Sequence, residues 1–100
     1  MAKKSPHSKT QEVHAIARGN VQGVFFRATT QEYAREMGIV GTVRNKEDGS
    51  VDICAQGPRS ELETFLQRLK DEPGMGTVEE MDIEFHKPEQ AFEDFHIVYW

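Results

Sequence analysis

The stretch GNVQGVFFRA, residues 19–28, combines two glycines, a phenylalanine pair and one arginine at a predicted strand-to-helix junction. Gly19 and Gly23 supply backbone freedom, and Gly23 in particular can adopt a positive φ, so several N–H groups can turn toward one point. Arg27 falls in the first turn of the helix, where its charge opposes the helix dipole unless an anion is bound. Since a guanidinium meets two phosphate oxygens at once, the stretch predicts a phosphate-binding loop. An ordinary strand-to-helix turn is the alternative.

The loop differs from the two common nucleotide-binding motifs. It lacks the Gly-Lys-Ser/Thr sequence that holds terminal phosphates and Mg²⁺. Its glycines are also not spaced as in the dinucleotide-binding fingerprint. Neither nucleotide motif is therefore present in this stretch.

The charge distribution limits the kind of anion that can bind. The chain has 100 residues and a formal net charge of −5. Three lysines precede residue 11, so residues 11–100 carry 9 basic and 17 acidic side chains. Residues 18–46 are locally basic, with five Arg or Lys against two Glu. This distribution predicts a small anion bound in that segment and disfavours general binding of nucleic acid.

Two helices are predicted from apolar side chains at helical spacing. From Phe26 to Met37 such side chains recur, and Gly38 follows as a helix stop. Ser60 and Glu63 form a capping box, which predicts that the second helix begins near Ser60.

Alternating segments predict five strands, and Asp48-Gly49 predicts a tight hairpin between the second and the third. The order is β-α-β-β-α-β plus a final strand, which indicates a ferredoxin-like α+β sandwich. We expect an antiparallel sheet with both helices on one face. The domain is predicted over residues 11–100, after a flexible tail of residues 1–10. The predicted strands cover residues 11–18, 39–45, 50–56, 77–86 and 92–100.

Cysteine and histidine suggest no second site. Cys54 is the single cysteine and lies in a strand-like run, so a small packed residue is predicted. His14, His86 and His96 share no metal-ligand spacing, and a zinc site is not expected. A lone cysteine suits a reducing compartment. No apolar run is long enough to span a membrane, and the N-terminus lacks a secretory signal, so a cytoplasmic protein is predicted.

Aromatic side chains near the loop and at the chain end are predicted to pack. Phe25 and Phe26 would anchor the loop beneath a bound phosphate. Tyr99 and Trp100 would cover an edge of the core, whereas an exposed Trp100 would contact a partner.

Three stretches resemble the acylphosphatase family. GNVQGVFFR resembles the family signature Gly-x-Val-Gln-Gly-Val-x-Phe-Arg at the same junction. GTVRNKEDGSVDICAQG resembles a second signature on a strand and hairpin, and FEDFHIVY resembles the last strand, so the likeness spans about residues 11–99. Thr42 departs from the pattern, which usually has an aromatic residue there. The matching residues are Gly19, Val21, Gln22, Gly23, Val24, Phe26, Arg27, Gly41, Val43, Asn45, Gly49, Val51 and Gly57.

The resemblance implies an enzyme that hydrolyses the carboxyl–phosphate bond of small acyl phosphates. It further implies that Arg27 binds the phosphate and that Asn45 orients the attacking water. It implies no cofactor, no metal, no nucleic acid and no membrane partner, and we expect a monomer. The implied phosphate-binding loop consists of Val21, Gln22, Gly23, Val24, Phe25, Phe26 and Arg27.

The chemistry of acyl phosphates agrees with this small set of groups. The carboxylate leaving group is weakly basic and the transition state is loose, so positioning and electrostatics can carry most of the catalysis. The loop contains no Ser, Cys or Asp, which argues for direct attack by water over a phospho-enzyme. Because an asparagine amide is not a base near neutral pH, a substrate oxygen is expected to accept the proton of the water.

Two alternatives use the same fold. An RNA-binding module would place aromatic side chains on its central strands for base stacking, but residues 11–18 and 50–56 contain none. A non-catalytic module that binds a small anion would use the same loop. Turnover alone distinguishes that module from an enzyme.

Overall fold

The computed structural model describes residues 10–99, which form five strands and two helices. Residues 1–9 of the predicted tail and Trp100 lie outside the described residues. Thr10, predicted as the end of the tail, is the first residue of β1. The elements are β1 (Thr10–Asn20), α1 (Phe26–Glu36), β2 (Val40–Asn45), β3 (Val51–Pro58), α2 (Arg59–Asp71), β4 (Thr77–His86) and β5 (Phe95–Val98).

The strands form one sheet in the order β4-β1-β3-β2-β5. β1 pairs antiparallel with both β3 and β4, and β2 pairs antiparallel with β3. The predicted α+β ferredoxin-like arrangement is confirmed. Neither helix, at 11 and 13 residues, is long and apolar enough to cross a membrane.

One feature of the predicted sheet is wrong, because β5 pairs parallel with β2 and the sheet is mixed. β4 lies at one edge and ends at His86, and β5 begins at the other edge after residues 87–94. Those eight residues are enough to cross four strand spacings, about 19 Å, but not to run the length of the sheet as well. β5 therefore begins at the end where β4 stops and runs in the direction of β2.

The core lies between one face of the sheet and the two helices. Alternate residues of the central strands point to this face, as in Val13 and Ala15 of β1, both fully buried. From the helices, Phe26 and Phe65 are buried in the same layer, and the Phe65 ring meets Phe95 of β5 edge-on at 6.1 Å. Burial of each large apolar side chain contributes about 1.5–3 kcal/mol. This layer therefore holds both helices against the sheet.

α2 begins within one residue of the predicted start near Ser60, but its cap differs from the prediction. The helix begins at Arg59 with Pro58 as its N-cap, and no side chain caps it. The predicted capping box was wrong because Ser60 lies inside the helix, and Glu63 instead accepts from Arg59 Nε at 3.1 Å, one turn away. Pro58 suits this boundary, since it has no N–H to leave unpaired.

Residues 87–94, which we call the strap, cross the face of the sheet opposite the helices. Gln56 Nε2 donates to the carbonyl oxygen of Gln90 at 2.6 Å, and the Glu89 amide donates to Glu12 Oε1 at 3.3 Å. Glu12 and Gln56 are consequently only 3% and 6% exposed. Burial opposes ionisation of Glu12, but hydrogen bonds from Gln56 and the Glu89 amide outweigh it and lower its pKa.

Several charged side chains lie on the rest of that face. Asp52 of β3 interacts with His14 of β1 and with Arg44 Nε of β2 at 3.3 Å. Arg18 pairs with Asp82 of β4 at 2.8 Å. Such partly exposed pairs contribute about 0–1 kcal/mol each. The free energy of folding therefore comes mainly from the buried core on the helix-covered face.

We predict that Gly41→Ala is strongly destabilising. Gly41 has φ +148°, and a Cβ there would lie 1.9 Å from the carbonyl oxygen of Cys54. Because that oxygen belongs to the neighbouring strand, the clash requires β2 and β3 to separate. Urea unfolding is expected to show a loss of about 3 kcal/mol or more.

Gly57→Ala is the matched control for this variant. Gly57 is also a buried strand glycine, but its added Cβ would lie 3.6 Å from Ile39 Cγ1 and 3.8 Å from Leu62 Cδ2, which are ordinary contacts. Its unfolding midpoint should stay close to that of the parent protein. Equal losses in the two variants would contradict the close approach of β2 and β3.

We also predict that Cys54 is an unreactive thiol in the folded protein. Burial, followed by the negative charge of Glu12, raises the pKa of Cys54 to about 12. At pH 8 the thiolate fraction is then about one ten-thousandth, against about a quarter for an ordinary cysteine. Alkylation by iodoacetamide at pH 8 should be about a thousandfold slower folded than in urea. Similar rates in both states would show that the thiol is exposed and ionised.

Candidate active site

β1 and β2 finish at the same end of the sheet, and the predicted site residues meet there. β1 and β2 both run antiparallel to β3, so they run in the same direction. The loop after β1, residues 21–25, therefore lies beside Asn45, the last residue of β2. Asn45 also shares its side of β2 with Val43, which is buried on the helix-covered face, and so it faces the start of α1.

The backbone of the loop contains two left-handed residues. Gly23 has φ 77°, which confirms the positive φ expected from the sequence. Phe25 has φ 62°, a conformation that costs a bulky residue about 1–2 kcal/mol. Gly19 is not part of this turn, because it lies in β1 and pairs with Val78 of β4. A Cβ at Gly19 would lie 2.4 Å from the Thr77 carbonyl oxygen.

Gln22 joins the loop to the β2–β3 hairpin. Its Nε2 donates two hydrogen bonds of 2.8 Å, one to the carbonyl oxygen of Lys46 and one to that of Ser50. Both acceptors belong to the turn that follows Asn45. The side chain of Gln22 thus fixes the distance between the loop and Asn45.

The N-terminus of α1 presents unpaired backbone donors at the loop. The N-cap residue, Phe25, has no polar side chain to cap the helix, and the first turn carries no acidic residue. The carbonyl of Phe25 accepts the helical bond from Thr29 at 3.0 Å. The N–H groups of the first turn and the positive end of the helix dipole are therefore available to an anion.

Arg27 adds a full positive charge at the same place. Among residues 10–99, no carboxylate oxygen lies within 4.0 Å of its guanidinium. The guanidinium carbon lies 4.9 Å from the ring centroid of Tyr99, within range of a cation–π interaction. Tyr99 therefore supports the side chain without neutralising its charge.

Asn45 carries an unsatisfied acceptor. Its Oδ1 is buried and accepts no hydrogen bond from any residue that the structure describes. Leaving a buried polar atom unpaired costs about 1–3 kcal/mol, and such atoms are uncommon in native proteins. A bound group that donates to Oδ1 would remove this cost.

Arg27 and Asn45 line one pocket of about 440 Å³. Of the predicted loop residues, Gln22 and Val24 do not line it: Gln22 is the tether, and Val24 packs against the core. The lining residues are Val21, Gly23, Phe25, Phe26, Arg27, Ala28, Asn45, Ile97 and Tyr99.

Some aromatic residues behave differently from the prediction. Phe26 is buried and anchors the loop as expected, but Phe25 is 73% exposed and stands at the rim of the pocket. Tyr99 is 77% exposed, so it covers no part of the core and instead contacts Arg27. The left-handed backbone at Phe25 turns its ring outward. In Tyr99, the phenol remains hydrated while the ring face meets the cation.

Ile97, Tyr99 and Ala28 were not identified as site residues from the sequence. Ala28 follows Arg27 in the first turn of α1, so its position was implied by the helix itself. Ile97 and Tyr99 reach the pocket because β5 lies beside β2 in parallel, an arrangement that no local pattern encodes. Thr42, the departure from the family pattern, faces away from the core and does not line the pocket.

The sequence of the chain is similar to those of known proteins. A family model described as Acylphosphatase matches residues 13–97. An acylphosphatase of Lactobacillus gasseri is 45% identical over 82 residues, which cover 81% of this chain and 90% of the relative. An acylphosphatase of Thermus thermophilus is 39% identical over 83 residues, covering 83% of this chain and 93% of the relative.

Similar folds are found among solved structures. The crystal structure of acylphosphatase from Bacillus subtilis has a TM-score of 0.85 and 31% sequence identity, over 89% of this chain and 99% of that one. The family-model match over residues 13–97 reaches all five strands and both helices, including the loop and the β2–β3 hairpin. By sequence and by fold, the chain belongs to the acylphosphatase family.

Proposed function

We propose that this acylphosphatase cleaves the carboxyl–phosphate bond of small acyl phosphates by direct in-line attack of water. Arg27 binds the phosphoryl group and Asn45 orients the water. The loop amides of residues 21–27 complete the phosphate site. The presence of Arg27 and Asn45 in one pocket at the N-terminus of α1 is the observation that carries this proposal.

The phosphoryl group is bound where the positive field converges. The first turn of α1 supplies N–H groups without side-chain partners, and Arg27 supplies a charge without a carboxylate partner among the described residues. As the acyl oxygen departs, charge develops on the phosphoryl oxygens, and donors already in place stabilise it without reorganisation. The conflict between Arg27 and the helix dipole disappears when the dianion lies between them.

The water is oriented by the side-chain amide of Asn45. The amide of Asn45 can both donate and accept a hydrogen bond, so it can hold a water with a lone pair directed at the phosphorus. Of the residues that line the pocket, none is Asp, Glu or His. The proton of the water therefore passes to a phosphoryl oxygen of the substrate.

The same lining residues include no Ser, Cys or Asp to act as a nucleophile. Because the leaving carboxylate is weakly basic, no strong general acid is needed to expel it. These features support hydrolysis without a phospho-enzyme, a cofactor or a metal in the reaction. We also propose that the protein is a monomer and acts in the cytoplasm. Its substrates are small molecules, and it does not act on nucleic acid or membranes.

The roles of Arg27 and Asn45 predict different kinetic defects. With benzoyl phosphate in EDTA, Arg27→Ala should lower kcat/KM about a thousandfold and weaken inhibition by inorganic phosphate, because the clamp on the phosphoryl group is lost. Asn45→Ala should lower kcat about a hundredfold and leave the phosphate inhibition constant within about threefold. Loss of benzoyl phosphate absorbance measures both.

Two control variants remove the same side-chain types outside the pocket. Arg18→Ala removes a charge from the same basic segment, and Asn20→Ala removes an asparagine at the end of β1. Both should retain parental kcat and KM. Weaker phosphate inhibition in Asn45→Ala, equal to that in Arg27→Ala, would argue against separate roles. Phosphate binding by the parent protein without turnover would instead support the non-catalytic module.

The site of attack is tested by isotope labelling. Hydrolysis in ¹⁸O water should place the label in inorganic phosphate and leave the released acid unlabelled, because water attacks phosphorus. Mass spectrometry of both products after less than one half-life gives the answer. Label in the acid would mean attack at the carbonyl carbon and would overturn the proposed role of Asn45.

A further inference from the structure

We propose that the opposite end of the sheet binds one divalent transition-metal ion, with Zn²⁺ as the best match, through Glu12, His86 and Glu89. Glu12 belongs to β1, His86 is the last residue of β4 and Glu89 lies in the strap. This end holds the starts of β1, β2 and β5, whereas the pocket lies where β1 and β2 finish. The proposed site is therefore separate from the acylphosphatase site.

The spacing of the donor atoms fits a metal better than it fits a hydrogen bond. One donor atom from each of the three side chains lies within 4.8 Å of the others. Glu12 Oε2 and His86 Nε2 are 3.6 Å apart, beyond the 2.7–3.2 Å usual for an N–H···O bond. Two ligands on a tetrahedral Zn²⁺, each about 2.0–2.2 Å from the metal, are about 3.4 Å apart. The Glu12–His86 pair is close to that spacing, and the other donor pairs, within 4.8 Å, would draw closer on binding.

His86 is held in the orientation and tautomer that a metal ligand requires. Its Nδ1 lies 2.9 Å from the carbonyl oxygen of Lys87. A carbonyl can only accept, so Nδ1 carries a proton, and Nε2 is the ring nitrogen turned toward Glu12. Metal-bound histidines are usually fixed in this way, by a bond from the other ring nitrogen to a backbone carbonyl or a carboxylate. This contact lies outside the three-residue cluster.

Glu12 is oriented by its own second set of contacts. Gln56 Nε2 and the Glu89 amide both donate to Oε1, at 2.8 and 3.3 Å. These bonds leave Oε2 as the oxygen turned toward His86. The side chain of Glu12 is 4% exposed and that of His86 32%, whereas Glu89 is exposed. The cluster thus has a buried floor and one open side through which an ion can enter.

The charge and chemistry of the cluster favour a borderline cation. The two carboxylates of the cluster together carry a charge of −2, which matches a divalent ion. An imidazole ligand favours Zn²⁺ or a neighbouring transition metal over Mg²⁺ and Ca²⁺, which prefer oxygen ligands. With three protein ligands, a water molecule occupies the fourth position.

A metal at this position would fasten the strap to the sheet. It would link β1, β4 and the segment that leads to β5, and so it would add to the hydrogen bonds that Gln56 and Glu12 make with the strap. Binding to the folded chain alone raises stability by mass action. The role we assign is therefore structural and independent of hydrolysis.

Isothermal titration of the tag-free full chain with ZnCl₂, at pH 7.5 in a buffer that does not bind metals, tests the site. We expect one ion per chain with micromolar or tighter affinity. At a hundredfold excess over Kd, the thermal midpoint should rise by about 5 °C or more. Mg²⁺ at the same concentration should change neither the heat signal nor the midpoint. No 1:1 binding of Zn²⁺ below millimolar concentration would overturn the proposal.

Glu89→Gln and His86→Gln are the informative variants, because both side chains are accessible and neither lies in the core. Each should weaken Zn²⁺ binding at least tenfold while keeping the parental midpoint in EDTA to within about 2 °C. Glu12→Gln is a third variant, but its buried position makes a folding defect harder to separate from loss of metal.

Two control variants remove histidines that the proposal does not use. His96→Gln changes a histidine of β5, and His7→Gln changes the histidine near the N-terminus. Both should bind Zn²⁺ as the parent does. If either abolishes binding, or if Glu89→Gln and His86→Gln bind normally, the metal lies elsewhere and the Glu12 cluster is an ordinary carboxylate–histidine pair.

Discussion

The pocket depends on the register in which β1, β3 and β2 pair. Ala55 of β3 lies opposite Val13 of β1 and Gly41 of β2, and all three residues are buried on the helix-covered face. A slip of one residue would turn the buried set of a strand toward solvent. Gly41 restricts β2 further, because a side chain there would meet the β3 backbone. With this register set, β1 and β2 finish at the same end of the sheet, on either side of β3.

The site is then assembled from groups that are individually unfavourable. Phe25 adopts a left-handed conformation, Arg27 opposes the dipole of α1, and Asn45 Oδ1 has no partner among the described residues. Each of these features costs free energy in the protein alone. The buried layer beneath the sheet and the two hydrogen bonds of Gln22 maintain the arrangement. A phosphoryl dianion and its attacking water would relieve the last two costs, which is the relationship expected of a preorganised site.

The two ends of the sheet differ in charge and in the groups that form hydrogen bonds. The end that carries the pocket is locally basic and relies on backbone donors, a guanidinium and a neutral amide. At the strap end, a buried carboxylate is surrounded by hydrogen-bond donors and faces a histidine. The strap connects these ends indirectly, since it leads into β5, whose Ile97 reaches the pocket.

The sequence alone determined the order of the elements, the ferredoxin-like fold and the glycine-containing loop between β1 and α1. Local patterns were sufficient for these features: period-two and helical spacing in the strands and helices, and Gly23 and Arg27 in the loop. The pairing of Arg27 with Asn45 also came from the sequence, through the likeness to a known family. The pattern of Ser60 and Glu63 matched a capping box, but in the structure Glu63 pairs with Arg59, one turn away on the helix surface.

Contacts between distant segments were decided only by the tertiary structure. The direction of β5 follows from the length of the strap and the end at which β4 stops, and neither is a property of the residues of β5. The same parallel pairing brings Tyr99 to Arg27. Glu12 and Glu89 are separated by most of the chain, so no ligand spacing in the sequence could reveal their approach to His86. Local preferences specify each element, but residues far apart in the chain come into contact only when the strands pair and the helices pack on the sheet.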